Sequence, residues 1–330
     1  METPIRIALI GCGGIMHVHA RALREMKGAQ VVALCDPNPG MIDRLVTAFP
    51  ELEGIPTFVE DADVYAAGDV DAIILASPHT PHRDQMIRAF AAGCHVLCEK
   101  PLCTSVVDTK QVIAARDAAG KVGAIAYQRH GVAMFRWLRE VVQSKRYGEL
   151  RFMNSHLGQQ WWQLTKGSWR QSKALSGGGQ LNDSGSHMID VLLWLTDMKA
   201  RRVTAFIDDR DSEVDINSVV NMEFESGAFG SISIIGDAAL WHERHHFWFE
   251  DAMIAVEDPV VRVTERNGTG YTVERWPAAL SPVANFLAAI AGEEAPMAPF
   301  ECGLRTIELT EAAWRSGYGG DIPVDVASLG

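Results

Sequence analysis

Over its first 126 residues the chain alternates short, unbroken apolar runs with helical patterns, and this alternation restricts the fold more than any other feature. The runs fall at 5–10, 31–34, 72–76, 95–98 and 122–126, and helices are predicted over 17–26, 82–92 and 105–119. A strand that is apolar on both faces has to be covered on both faces. Strands separated by helices therefore predict a parallel sheet between two helical layers.

From about Tyr127 the pattern changes. A helix is predicted over 134–143, a strand over 150–160 and a helix over 183–195. Strand candidates follow at 202–207, 218–224, 228–235, 246–250 and 260–263, some divided by turns such as Ser226-Gly227 and Asn267-Gly268. Successive strands with short turns predict an antiparallel or mixed sheet. Helices over 281–291 and 303–314 complete the chain. The expected fold class is α/β with two domains, 1–126 and 127–330.

At 330 residues the chain can build two full cores, and its 47% hydrophobic content fits a folded globular protein. A net charge of −12 argues against nucleic acid and anionic membrane surfaces as partners. No apolar run approaches the roughly 20 residues of a membrane-spanning helix. The start of the chain lacks the basic flank and cleavage site of a signal peptide, so a cytoplasmic protein is expected. Cys12, Cys35, Cys94, Cys98, Cys103 and Cys302 show no paired spacing and read as reduced, mostly buried thiols. His242, His245 and His246 look like a metal cluster at first glance. They lack accompanying cysteines or carboxylate geometry, so a partly exposed strand or loop is expected there and no metal.

Gly11-Cys12-Gly13-Gly14-Ile15-Met16 stands between the first strand and the first helix, where a dinucleotide fingerprint belongs. Glycines permit the tight turn, and the helix N-terminus offers N–H groups to a pyrophosphate. Met16 fills the slot of the third glycine. Asp36 ends the second strand, 25 residues after Gly11, where a carboxylate accepts hydrogen bonds from ribose hydroxyls. The same carboxylate would repel a 2′-phosphate, and no arginine follows it. NAD is expected rather than NADP.

A second glycine turn, Gly177-Gly178-Gly179, precedes Asp183, His187 and Asp190. The glycines allow a sharp bend and close approach to a ligand. On a helix the three polar residues share one face, which suits a proton-transferring imidazole held beside a carboxylate.

Taken together, the glycine turn at 11–14, Glu99-Lys100-Pro101 after a strand, and the triple glycine followed by Asp183-x-x-x-His187 resemble the glucose-fructose oxidoreductase / inositol dehydrogenase / rhizopine-catabolism family, Gfo/Idh/MocA. Ser77-Pro78-His79-Thr80-Pro81-His82 and the approach 91–97 also resemble family members, and the resemblance covers essentially the whole chain. It implies an N-terminal Rossmann domain binding NAD and a C-terminal α+β domain with a large, open, mostly antiparallel sheet. That domain would bind substrate, and the outer face of its sheet would form homodimers or homotetramers. The resemblance also implies that Lys100, Asp183 and His187 surround the substrate, and that the Lys100–Pro101 bond is cis. Gly11, Gly13, Gly14, Ile15, Met16, Asp36, Ser77, Pro78, His82, Glu99, Lys100, Pro101 and Gln128 would contact the cofactor. Trp169 and Arg170, the Trp-Arg pair upstream of Asp183, join them. Arg129 and Trp162 are further substrate candidates, because aromatic faces stack on sugar rings; Arg129-His130 and either Trp161 or Trp162 would line the pocket.

Removing a hydride from a carbinol carbon requires a base for the hydroxyl proton and positive charge near the developing alkoxide. His187 is the preferred base, in an early helical turn whose dipole disfavours imidazolium. Asp183 would orient it or hold a neighbouring hydroxyl, and Asp190 would support it from behind. Lys100 would donate to the reacting oxygen, or act as the base itself if its pKa is depressed. The expected activity is NAD-dependent oxidation of a secondary hydroxyl of a sugar, sugar derivative or cyclitol. A redox-neutral glycosidase working by oxidation, elimination and reduction is the alternative, followed by a non-catalytic NAD-binding regulator.

Overall fold

The computed structural model describes residues 4–257 and 259–329. In chain order, six strands, β1 (Ile5–Ile10), β2 (Ala29–Cys35), β3 (Thr57–Phe58), β4 (Ala72–Leu75), β5 (His95–Cys98) and β6 (Gly123–Ile125), alternate with helices α1 (Met16–Arg24), α2 (Pro39–Ala48), α3 (Asp61–Ala67), α4 (His82–Ala91) and α5 (Val106–Ala119). Then come α6 (Ala133–Gln143), β7 (Leu150–Gly158), the single turns α7 (Trp161–Leu164) and α8 (Lys173–Ser176), and α9 (Ser184–Thr196). Seven strands follow: β8 (Ala200–Asp208), β9 (Asn217–Phe224), β10 (Phe229–Ile235), β11 (His242–Phe249), β12 (Ala252–Glu257), β13 (Val260–Glu265) and β14 (Gly270–Thr272). Helices α10 (Pro282–Ile290) and α11 (Phe300–Tyr318) and the short β15 (Val324–Asp325) complete the order.

These elements form two compact units. The first comprises 4–103, 107–128 and 280–303, and the second 104–106, 129–279 and 304–329. The units are interleaved in sequence: α10 lies in the first unit, although the simple division at 126/127 assigns everything after that point to the second domain. The reason is local. Val283 and Phe286 of α10 are buried in the same apolar cluster as Ile7, Leu9 and Leu97, so the helix covers one face of the first sheet.

The first sheet has six strands in the order β3-β2-β1-β4-β5-β6, every pair parallel. Strands β4 and β5 are almost fully buried along their length, as their unbroken apolar sequences require. The chain reverses its direction of winding between β1 and β4. In such a sheet the crevice at the carboxyl ends of those strands is where ligands bind.

The second sheet has nine strands in the order β14-β13-β12-β11-β7-β10-β9-β8-β15. Only β7 and β10 pair in parallel; the other neighbours are antiparallel. One face packs on α6 and α9 in a single cluster that includes Leu138, Leu157, Ile189, Leu192 and Phe247. The opposite face exposes Phe152, Phe206, Val219, Phe229 and Trp248. Strand β11 begins at His242, four residues earlier than the apolar pattern indicates, and β12 was not marked by any alternation. No helix among the described residues is long and apolar enough to cross a membrane.

Candidate active site

In the first unit the glycine turn sits directly after β1. Gly11 has φ +83°, and a Cβ there would lie 2.5 Å from the Ala76 carbonyl carbon, so β4 passes too close for any side chain. Gly13 and Gly14 differ: a Cβ on either would meet nothing within 4 Å. Their surroundings are open, and Ile15 enters α1 with no side-chain cap; the Met16 and Val18 N–H groups donate to the Gly13 and Ile15 carbonyls at 3.0 Å each, and the positive end of the helix dipole still faces the open side of the turn. Met16, in the third-glycine slot, is fully buried in the cluster formed with Ile7, Leu9 and Leu34. This departure from the fingerprint is a packing solution.

Asp36 lies at the end of β2 and is buried. Its Oδ2 accepts the Cys12 N–H at 2.8 Å and its Oδ1 accepts the Asn38 N–H at 2.8 Å. The carboxylate is thus held at the rim of the glycine turn with lone pairs to spare for hydroxyl donors. Burial beside Asp36 pushes the Cys12 thiol up to about 12, so it is an inert neighbour. Open space at Gly13 and Gly14, an uncapped helix start and a fixed carboxylate together fit a dinucleotide.

The remaining candidates of this unit cluster at the ends of β4 and β5. His82 is fully buried; its Nδ1 lies 2.9 Å from the Pro101 carbonyl oxygen and its Nε2 3.1 Å from that of Ser77. Burial lowers its pKa, which favours a neutral ring that donates to one carbonyl at a time. His82 therefore ties the loops carrying Ser77, Pro78 and Pro101 to each other from within. Glu99 and Lys100 are half-buried, and the Lys100–Pro101 bond is cis. Gln128 is exposed, three residues beyond β6 at the start of a short helical turn.

In the second unit α9 is anchored by Met188, Ile189, Val191, Leu192 and Leu195, each buried almost completely. At roughly 1.5–3 kcal/mol per large apolar side chain, that face fixes the helix firmly. Asp183 is its N-cap residue, buried, and its Oδ2 accepts from the Trp161 indole N–H at 2.8 Å and from Arg170 Nε at 3.1 Å. The Arg170 guanidinium in turn lies 4.5 Å from the Trp169 ring centroid. His187, half-buried, follows one turn into α9. The structure thus gathers Trp161, Trp169, Arg170 and Asp183 at the helix start that bears His187.

Several expectations are corrected. Asp190 does not support His187: its Oδ2 accepts from His130 Nε2 at 2.8 Å, with both side chains buried and His130 stacked on Trp194 at 4.2 Å. Burial pushes the Asp190 carboxyl up, and His130 opposes that push. His130 is itself fully buried. The triple glycine does not make room for a ligand. A Cβ would lie 2.4 Å from Thr104 at Gly177, 2.2 Å from the Trp314 ring at Gly178 and 1.8 Å from the Asp215 carbonyl oxygen at Gly179. The glycines exist because protein occupies that space.

Asp215 is the residue that sequence reasoning missed. Its carboxylate, buried, accepts from Gly179 N–H at 2.9 Å, Leu181 N–H at 2.7 Å and the Trp314 indole at 2.9 Å, and so pins the turn that leads to Asp183. Nothing but its apolar neighbours Val214 and Ile216 distinguishes it in sequence.

Arg129 forms a two-pronged ion pair with Glu243, at 2.5 and 2.9 Å. Glu243 also accepts from His245 Nε2 at 2.9 Å, and His245 Nδ1 lies 2.9 Å from Ser155 Oγ. The three histidines lie on strand β11, with His242 and His246 half-buried as expected of a partly exposed strand, whereas His245 is buried and paired. Burial lowers the His245 pKa; the neutral ring then donates to Glu243 and accepts from Ser155. For Glu243 burial alone would raise the pKa, but His245 and Arg129 outweigh it and hold the carboxyl at about 2. Trp162 packs against the small cluster of Trp161, Val214 and Ile216, with Arg210 5.5 Å and Lys166 6.0 Å from its ring centroid.

Comparison with known proteins identifies the family of both parts of the chain. Residues 5–127 match the oxidoreductase family with an NAD-binding Rossmann fold, and residues 135–255 match the GFO/IDH/MocA C-terminal domain. The chain belongs to the Gfo/Idh/MocA family of NAD-binding oxidoreductases. Among family members, it is 30% identical to the rhizopine catabolism protein MocA of Rhizobium meliloti over 197 residues, 59% of this chain and 58% of that protein. It is 27% identical to inositol 2-dehydrogenase of Pseudarthrobacter chlorophenolicus over 289 residues, 82% of this chain and 80% of that protein. The match thus spans less than two thirds of the length of MocA. In fold it is similar to aldose-aldose oxidoreductase from Caulobacter crescentus, at TM-score 0.83 and 22% identity over 98% of this chain and 99% of that one. It is also similar to the WlbA dehydrogenase from Bordetella pertussis, whose structure holds NADH and UDP-GlcNAcA, at TM-score 0.83 and 24% identity over 98% of each chain.

Proposed function

We propose that the protein is an NAD-dependent dehydrogenase that oxidises a secondary hydroxyl of a sugar, sugar derivative or cyclitol. The observation that carries the reading is the Asp183 carboxylate, buried and held by Trp161 and Arg170 at the start of the helix that bears His187. Proton transfer benefits from groups whose rotamers are locked before substrate arrives. Inositol 2-dehydrogenases stand among the similar proteins and support a polyhydroxylated substrate.

Residues 1–126 would carry the cofactor, with Gly11, Gly13, Gly14 and Ile15 at the pyrophosphate and Asp36 at the ribose, while buried Met16 supports the turn from the core. Ser77, Pro78, Glu99, Lys100, Pro101 and Gln128 would complete its surroundings, together with Trp169 and Arg170, with buried His82 bracing the Ser77 and Pro101 loops from beneath instead of touching the cofactor. NAD supplies a hydride acceptor. His187 takes the hydroxyl proton, Asp183 orients the imidazole or a neighbouring hydroxyl, and Lys100 donates to the reacting oxygen as negative charge grows on it. Arg129 and Trp162 would shape the substrate side of 127–330. The exposed apolar residues on the outer face of the nine-stranded sheet suit a second copy of the chain, in a homodimer or homotetramer.

Asp36 disfavours a 2′-phosphate, so NADPH should bind at least about tenfold more weakly than NADH in a fluorescence titration. The function is tested by supplying polyols, sugars and glycosides with NAD and following NADH appearance and glycoside cleavage together. Net NADH with a polyol or sugar is expected. Substitution of Lys100, Asp183 or His187 by alanine should lower turnover by about 100-fold or more. Normal turnover in all three variants would sink this mechanism.

A further inference from the structure

The strand end that carries Lys100 is tied to the cofactor helix by one buried pair. His19 of α1 donates from Nε2 to Glu99 Oε1 at 2.8 Å, with only 6% and 12% of the two side chains exposed. The other oxygen, Glu99 Oε2, accepts the backbone N–H of Lys100 at 3.2 Å. Glu99 is itself fixed to the sheet through its N–H, which donates to the Leu75 carbonyl at 2.8 Å.

A glutamate bonded to the N–H of the very next residue is a local contact on a side chain with three rotors. Left alone in solvent, it would exchange among rotamers. The second bond, from a histidine anchored on a packed helix beside buried Met16, Ala20 and Leu23, selects one rotamer. Charge assistance and burial both strengthen that bond.

We propose that His19 is a positioning residue for Lys100: by holding Glu99 it fixes the backbone from which the lysine side chain leaves the end of β5, and it links that point to the helix that begins at the glycine turn. This rests on the reading of Lys100 as donor to the reacting oxygen, and the test separates the two ideas.

Hydrogen–deuterium exchange at the Lys100 amide, measured with saturating NADH, needs no substrate. His19→Ala should speed exchange at Lys100 by about tenfold or more, while Val96 and Leu97 keep their rates. His19→Gln, which retains an N–H able to reach Glu99, should stay within about threefold of the unsubstituted protein. An unchanged Lys100 rate in His19→Ala overturns the proposal. So does equal acceleration at Val96 and Leu97, because that reports loosening of the whole strand.

Turnover is measured in parallel with Lys100→Ala, using NAD and inositol or, if the unsubstituted protein leaves inositol unoxidised, the polyol or sugar with which it does produce NADH. If Lys100→Ala is inactive, His19→Ala should lower kcat by about tenfold with KM for NAD changed less than about threefold, and His19→Gln should restore it. Full kcat in His19→Ala then overturns the proposal. If instead Lys100→Ala turns over normally, the role of Lys100 in the reaction fails, and the exchange rates still decide whether His19 orients its backbone.

Discussion

Two glycine turns punctuate this chain, and they serve opposite ends. At Gly13 and Gly14 an added Cβ would meet nothing within 4 Å, whereas at Gly177, Gly178 and Gly179 it would collide at 2.4, 2.2 and 1.8 Å with Thr104, Trp314 and Asp215. The first turn keeps space clear beside a helix N-terminus. The second lets protein backbone and an indole close on one another, and a buried carboxylate then locks the bend. Both turns precede helices whose starts carry proposed site residues, yet only the first has glycines, Gly13 and Gly14, that face open space. Absence of a side chain marks a ligand cradle only where nothing else occupies the place of that side chain.

Gly179→Ala attacks this contrast most severely. The clash is with the Asp215 backbone, which cannot move aside as a flexible side chain would, so a loss on the order of 3 kcal/mol or more in urea unfolding is expected. An unchanged midpoint would show that the second turn has slack. Glu243→Gln should cost about 3 kcal/mol near neutral pH, because it leaves Arg129 and His245 without their charged partner in a largely buried setting. The sign of its pH dependence follows from a carboxyl depressed from 4.5 to about 2. Folding favours the ionised form, so this stability is full above about pH 4.5 and fades as pH falls towards about 2. The gap between variant and parent midpoints should shrink over that window; a constant gap would mean that the ion pair is not its source.

Asp215→Asn should cost about 2 kcal/mol, since one amide oxygen cannot replace two carboxylate oxygens that accept Gly179 and Leu181. NADH affinity should stay unchanged, and a large loss of affinity would join the two turns functionally. Gly13→Ala should leave stability within about 0.5 kcal/mol.

Much of the first unit was legible because buried parallel strands are apolar at every position, as in Ala72–Leu75 and His95–Cys98. The two-residue β3 carries too little pattern to be read. In the second unit, β11 opens with His242-Glu243-Arg244-His245, and a hydrophobicity pattern places that polar run outside the strand. Glu243 and His245 face inward because each satisfies the other, a pairing that only tertiary structure reveals. Strand β12 alternates between buried and half-buried positions, but its sequence is apolar on both faces up to Glu257, so no period shows. For the candidate site, Asp183 and His187 stood out by spacing, whereas Trp161 and Asp215 contact the same segment from 22 and 36 residues away in sequence. The partner of Asp190 was misread for the same reason: helical spacing brings His187 near, but His130, from a distant segment, offers the better buried bond.

The central contrast is tested most directly by titrating NADH into Gly14→Val and following protein fluorescence. The valine Cβ would meet no protein atom within 4 Å, and its two methyl groups would fill space beside the start of α1. A rise in Kd of about tenfold or more, with the thermal midpoint unchanged, is the predicted result. An unchanged Kd would contradict the reading of the first glycine turn as the cofactor cradle.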